Sequence, residues 1–434
     1  MTSVAEVRLW GRTIGAVSLG DRDEVAAFEY AADFSGSMIE VSPITMPLSM
    51  RVYSFPELSR ETFYGLPGLL ADSLPDKFGN ALIDAWLATQ GRQPGSFNAI
   101  ERLCYTGERG MGALEFVPEI GPGLRQGSQI QIEKMVELAS SVLSHREKLA
   151  GSFADDSKGQ AMKDILRIGT SAGGARAKAV IAWNPHTNEV RSGQVPAAEG
   201  FEYWLIKFDG VRGNRDKELE DPQGYGVIEY AYYNMVKDCG INISECRLFE
   251  ENGRRHFMSR RFDRLARGEK LHMQSLCALA HYDFNMAGAY SYEQALLVIR
   301  QLRLPMKSVE ELFRRMVFNI VARNQDDHVK NIAFLMDKSG NWSLSPAFDM
   351  TYSYNPAGAW TASHQMTMNG KRDDFSMDDF KACAKTASMK RGRAETIVSE
   401  VQEVVAHWKE YANDAGVPTT MRDQIQRTLR LDDF

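Results

Sequence analysis

Asp326, Asn331 and Asp349 are the side chains of this sequence best placed to do chemistry. They stand in the runs Asp326-Asp327-His328-Val329-Lys330-Asn331 and Pro346-Ala347-Phe348-Asp349. The first run follows an apolar stripe (Leu312, Phe313, Met316, Val317, Ile320, Val321) that predicts a helix with one buried face. Beyond Asn331, Ile332–Met336 reads as a strand, Asp337–Asn341 as a turn and Trp342–Leu344 as the returning strand. If those strands pair, the residues before the first and after the second return to the same end. Asn331 and Asp349 then lie close, with Asp326 beside them on the loop. A carboxylate to accept or orient a hydroxyl proton, with an Asn and a second Asp to hold magnesium, is what phosphoryl transfer needs. The competing reading is a polar loop whose Asp and Asn cap helix or turn ends. The ordered set after an apolar helix favours chemistry.

Further upstream lies Gly169-Thr170-Ser171-Ala172-Gly173-Gly174-Ala175-Arg176-Ala177-Lys178. Its glycines allow close backbone approach, and successive N–H groups can cradle phosphate oxygens. It is not a Walker A loop, because no Gly-Lys-Ser/Thr has the required spacing and a strand follows rather than a helix. The same strand rules out the dinucleotide fingerprint. A strand–Gly loop–strand unit is how protein kinases cover ATP, although a plain hairpin loop fits these residues equally. Lys207 ends an apolar strand, where a lysine either reaches solvent or neutralises ATP phosphates. Glu229, on a helix that Asp221-Pro222 can start and Gly240 can end, is its candidate partner. The succession of parts carries more weight than any one of them.

These groups need a scaffold, and 434 residues supply two or three compact units. Apolar residues make up 44% and charged residues 25%, the balance of a folded chain with ample core. Residues 1–120 read as a mixed α/β unit, with a hairpin at Val7–Leu19 and a helical stretch from Leu66 through Ile83. The strand Ala113–Val117 ends at Pro118, and Gly121-Pro122-Gly123 marks a boundary. Ile130–Leu149 reads as an amphipathic helix. Strands follow at Ile165–Ile168, Ala179–Trp183 and Tyr203–Phe208, and around Arg247–Phe249 and His256–Met258. From about residue 270 the pattern is mostly helical. A net charge of −6 argues against a bulk electrostatic nucleic-acid binder. The five cysteines are scattered without a disulfide or zinc spacing, which points to reduced cytoplasmic thiols. Neither a signal peptide nor a membrane-spanning run is expected, so the chain reads as soluble and intracellular.

The sequence resembles the HipA family of toxin kinases over nearly its whole length. The resemblance is carried by Asp326-x-His328-x-Lys330-Asn331, Pro346-x-Phe348-Asp349, Ser171-x-x-Gly174-Ala175-x-x-Lys178 and Arg261-Phe262-Asp263-Arg264. Leu74-Pro75-Asp76 and Gly112-Ala113-Leu114 are similar to the family's N-terminal domain. The resemblance implies an α/β (α+β) fold, with a protein-kinase-like two-lobed core and a small mixed α/β N-terminal domain. Its parts would be the N-terminal domain at 1–120, an N-lobe with the Gly-rich loop at 121–265 and a helical C-lobe at 266–434.

By the same resemblance Asp326 is the catalytic residue, and Asn331 and Asp349 bind Mg2+. His328, Val329, Lys330, Asn331 and Phe348 would line the ATP site. Gly173, Gly174, Ala175, Arg176, Ala177 and Lys178 would touch the phosphates, as would Lys207. Arg260, Arg261 and Phe262 would form the hinge beside adenine. Ser171 matches a serine whose autophosphorylation expels the loop. Its phosphate would bring roughly −1.5 to −2 charge into an ATP site. Arg260 departs from the Glu often found there, and Gly173 and Arg176 replace an Ala and a Gln. The implied substrate is a cytoplasmic translation protein, notably an aminoacyl-tRNA synthetase. The implied partner is a small helix-turn-helix antitoxin (HipB-like), through which DNA contact would mainly run. Two other readings compete. One is a catalytically silent kinase-fold co-repressor, and the other a metal-dependent phosphohydrolase using Asp326, Asp327 and His328.

Overall fold

Alternate residues of β1 (Val4–Leu9) are buried, namely Ala5, Val7 and Leu9, as a strand with one core face requires. It pairs antiparallel with β2 (Arg12–Ser18), giving the expected hairpin. β3 (Ala27–Tyr30) and β4 (Leu114–Val117) complete a four-stranded sheet of order β3-β2-β1-β4. The computed structural model describes residues 2–20, 23–120, 130–144, 176–194, 199–211, 215–216, 219–220, 224–265 and 268–434. Ser171, Gly173, Gly174 and Ala175 lie outside these residues, as do the strand expected at 165–168 and the Asp221-Pro222 helix start.

The apolar run from Leu66 to Ile83 is not one helix. A short turn of helix at Gly68–Ala71 stops, and α1 (Lys77–Thr89) begins after Pro75. Pro75 has no N–H to continue a helix. Asp76 caps the new one by accepting from the Gly79 amide at 2.6 Å. α2 (Ala99–Thr106) opens with a reciprocal capping box between Asn98 and Glu101.

Clustering of the chain gives two compact units. One comprises residues 1–223, 247–273 and 336–340, and the other 224–246, 274–335 and 341–434. In the first, α3 (Ile132–Ser144) precedes β5 (Lys178–Trp183), β6 (Val190–Ser192) and β7 (Glu202–Lys207). With β8 (Cys246–Glu251) and β9 (Arg254–Arg260) these strands form a five-stranded sheet ordered β8-β9-β7-β5-β6. Its core joins Phe78 and Leu82 of α1, Met135 and Val136 of α3, and Ile181, Trp204 and Ile206 of the sheet.

In the second unit, α4 (Tyr225–Asp238) packs on the later helices. Those include α5 (Tyr292–Gln301), α6 (Met306–Val321), α7 (Met377–Thr386), α8 (Arg393–Ala406) and α9 (Trp408–Ala415). The stripe foreseen on α6 is buried, Leu312, Phe313, Met316, Val317, Ile320 and Val321 together. Ala333–Met336 and Trp342–Leu344 are neighbours in a three-stranded sheet, and the Ser345 amide donates to the Ala333 carbonyl at 3.0 Å.

Candidate active site

α6 ends where Arg323 turns into the left-handed region at φ +57°. The chain then runs beside the segment that follows Asp349. The Gln325 amide donates to the Ser353 carbonyl at 3.2 Å, and the Ser353 amide to the Arg323 carbonyl at 3.0 Å. Asp326 opens a tight loop whose carbonyl accepts from the His328 amide at 2.9 Å and from the Asn331 side chain at 3.0 Å. Asn331 therefore fixes the backbone of Asp326 while standing at the mouth of the hairpin.

Where the chain leaves the hairpin, at the same mouth, Asp349 sits at φ +52°. A non-glycine residue in that region costs of order 1–3 kcal/mol and persists only where its surroundings over-determine it. Asn324 contributes, donating to the Asp349 carbonyl at 3.5 Å. Asn331, Asp349, His328 and Phe348 line one pocket, along with Asn324 and Arg315. The Asp326 carboxylate stays about a third exposed, with His328 Nε2 3.8 Å from its Oδ1. Trp360 Nε1 donates to that same oxygen at 2.6 Å.

Asp327 plays a different part from its neighbour. It is buried, and it accepts from Tyr292 Oη at 2.6 Å and from the Gln365 amide at 2.7 Å. His364 Nδ1 lies 2.9 Å away. Burial alone would raise this carboxyl, but His364 and the hydrogen bonds hold it below the ordinary carboxylate range. Asp327 thus clamps the loop from beneath. Of the remaining expected residues here, Val329 is buried and Lys330 Nζ lies 5.1 Å from the Phe284 ring centre.

The first unit holds the other expected residues. Ala177 belongs to the core, and Arg176 is half-buried. Lys178 is buried and ion-paired with Asp76 at 3.4 Å, so the helix cap of α1 also faces the strand that follows the Gly-rich segment. Lys207 is buried in register with Lys178, its Nζ 5.7 Å from the Phe257 ring centre. Glu229 is buried on α4 of the second unit.

The hinge residues divide. Arg260 is exposed and pairs with Glu202 at 3.4 Å, and Phe262 is half-buried. Arg261 is turned into a closed network. Its guanidinium makes two bonds to Asp263, at 2.9 and 2.6 Å, and its amide donates to the Tyr203 carbonyl. Asp263 also accepts from Arg264 and from the Gly112 amide, both at 2.7 Å. A Cβ on Gly112 would meet the Met273 backbone nitrogen at 2.8 Å, so only glycine fits this approach.

Asn331 and Asp349 offer an amide and a carboxylate oxygen, hard donors of the kind magnesium takes in ones and twos while phosphate and water complete its shell. Among the described residues no group of three or more His, Cys, Asp or Glu is arranged to hold a metal. The pair Asn331 and Asp349 fits Mg2+.

The model of the HipA-like C-terminal domain matches residues 170–408, and that of the HipA N-terminal domain matches 5–117. The chain belongs to the HipA family. A chain of the Shewanella oneidensis MR-1 toxin–antitoxin complex of HipA, HipB and operator DNA superposes with a TM-score of 0.67. It is 16% identical, and the match covers 98% of this chain and 96% of that one. The α/β HipA fold is thereby established. A Haemophilus influenzae protein curated as "Putative kinase" is 25% identical over 159 residues, 33% of this chain. The match spans only 46% of that relative's length. Among the described residues no helix is long and apolar enough to cross a membrane.

Spacing alone missed Trp360 and the clamp formed by Tyr292, His364 and Gln365. None of them lies in a run that marks a site, and each reaches Asp326 or Asp327 only through the fold.

Proposed function

We propose that this HipA-family protein is an ATP-dependent serine/threonine protein kinase and the toxin of a toxin–antitoxin pair. One observation carries the reading: Asn331 and Asp349 line the same pocket while Asn331 fixes the backbone of Asp326. Bound Mg2+ would neutralise charge on the ATP phosphates, with Asn331 and Asp349 holding it. Asp326 would accept the proton of a serine or threonine hydroxyl as its oxygen attacks the γ-phosphorus. The bond from that phosphorus to the ADP oxygen breaks, and ADP leaves. Lys207, Lys178 and the Gly173–Ala177 segment would meet the phosphates, and Arg260–Phe262 would flank adenine. Asp327 would keep the loop in register through Tyr292, His364 and the Gln365 amide.

The protein acted on would belong to the translation machinery, an aminoacyl-tRNA synthetase by the family resemblance, with Ser171 as a self-modified site. The Shewanella complex supports a HipB-like helix-turn-helix antitoxin as partner, with DNA contact mainly through it. A cytoplasmic location follows from that target. Autophosphorylation with γ-labelled ATP tests the core of the reading. Asp326→Gln should lower label incorporation about 100- to 10,000-fold, the range of a general base. Equal labelling of both proteins would remove Asp326 from the mechanism.

A further inference from the structure

The Asp326 carboxylate is engaged by a group that cannot be a substrate. Trp360 Nε1 stands 2.6 Å from Oδ1, within the span a reacting hydroxyl needs from its general base. An indole N–H donates and cannot accept, and it carries no oxygen to be phosphorylated. It thus reproduces the ground-state contact of a serine or threonine O–H without its reactivity.

The loop that carries Trp360 runs between Asp349 and the clamp under Asp327. Its turn is held by Asn355, whose carbonyl accepts from the Gly358 amide at 3.0 Å and whose side chain accepts from the Ala357 amide at 3.1 Å. Pro356, Ala357 and Ala359 are exposed, whereas the Trp360 ring is half-buried. Gln365 tethers the indole residue: its Nε2 donates to the Trp360 carbonyl at 2.5 Å and to the Gln325 carbonyl at 3.1 Å. The Gln365 amide in turn bonds to Asp327. One glutamine therefore ties the loop's indole end to the catalytic loop, while the tip faces solvent.

We infer that Trp360 occupies the phosphoacceptor site, as an internal stand-in for the substrate hydroxyl that an incoming serine or threonine must displace from Asp326. The inference rests on the kinase reading above. The segment after the proposed metal-binding carboxylate, Asp349, is also the one that gates protein kinases generally, through order and disorder of a loop. Here the gating contact is a single hydrogen bond to a charged acceptor, and removing it should raise the transfer rate roughly tenfold. Nucleotide affinity should not change, because the indole meets the proton acceptor and lines no part of the pocket shared by Asn331 and Asp349.

The experiment uses the full chain as wild type, as Trp360→Phe, and with benzothienylalanine at position 360, which replaces the N–H by sulfur and keeps the ring shape. Initial rates of self-labelling and of ADP release from ATP with water as acceptor are measured against ATP concentration. Indole proton–nitrogen spectra of wild type and Asp326→Asn are recorded in parallel. The inference expects both N–H-free proteins to label about tenfold faster at unchanged KM for ATP. It also expects the indole signal missing in Trp360→Phe to shift in Asp326→Asn. An active wild type exceeded by neither variant overturns the gate, and so does an indole signal indifferent to Asp326→Asn. A wild type with no Asp326-dependent turnover fails the kinase reading itself, a result no Trp360 variant can imitate.

Discussion

Two polar clusters in this protein are each built on an aspartate and put it to opposite ends. Around Asp263, two arginines and a glycine amide converge on one carboxylate that is 0% exposed. Around Asp326, one indole and a distant imidazole face a carboxylate side chain that is 36% exposed. The first cluster spends its donors on itself and joins Arg261–Arg264 to Gly110–Gly112. In the second, Asn331 and Asp349 line a pocket, and the loop that carries Asp326 is held from below by Asp327. A motif of charged residues is structural when its partners are internal and complete. It is chemical when its scaffold is satisfied and its working atoms face a cavity.

The widest gap between the clusters should appear in activity. If Asp349 holds Mg2+ as proposed, Asp349→Asn should reduce label transfer roughly 100-fold or more while melting stays near wild type. Release of the φ +52° strain would, if anything, raise stability slightly, Asn being tolerated there. A calorimetric scan beside the transfer assay reads both quantities. Comparable transfer by the variant would break the contrast at its chemical end.

Asp263→Ala should do the reverse. It leaves two buried guanidinium groups without their carboxylate, which costs about 3–5 kcal/mol of stability. Arg261 and Arg264 hold Asp263 well below the usual carboxylate range despite its burial, so the carboxylate remains charged at any ordinary pH. Urea unfolding should therefore show a large fall in midpoint. A variant as stable as wild type would mean that the closed network is ornamental.

The smallest effect is graded by pH and belongs to the first unit. Burial pulls His256 down to about 4, with Arg254 adding to the shift, and burial likewise pulls His272 down to about 4. The folded state disfavours their charged forms, so the unfolded chain binds protons first as pH falls from about 6.5. Stability should be complete above that value and decline as pH drops toward 4, by on the order of 2 kcal/mol for each histidine. His256→Gln should flatten part of the slope. A melting temperature level across that window would contradict the burial argument.

The sequence made the layout of the candidate site around Asp326 legible because its logic is local. An apolar helix, a polar loop and a short hairpin lie in consecutive residues, so the return of Asp349 toward Asn331 follows from strand pairing alone. The split of the Leu66–Ile83 run was legible in principle, since Pro75 and Asp76 stand at the break, but an apolar stripe passes through such a break unchanged. Arg261 was harder. Its role depends on Gly110 and Gly112, distant in sequence, and no periodicity announces a partner so remote. Lys178 shows the same limit: a lysine after a Gly-rich segment suggests phosphate, yet the fold also gives it Asp76. Trp360 carries no signal of its own, because an aromatic residue in a turn-rich loop usually packs rather than donates to a carboxylate.

Asn331 and Asp349 should meet at a divalent cation beside the Asp326 carboxylate. A crystal structure of the protein with Mg2+ and a non-hydrolysable ATP analogue decides this. It should show a metal ligated by Asn331 and Asp349, with the terminal phosphate pointing toward Asp326. Nucleotide bound at another place, or a metal held without either residue, would contradict it.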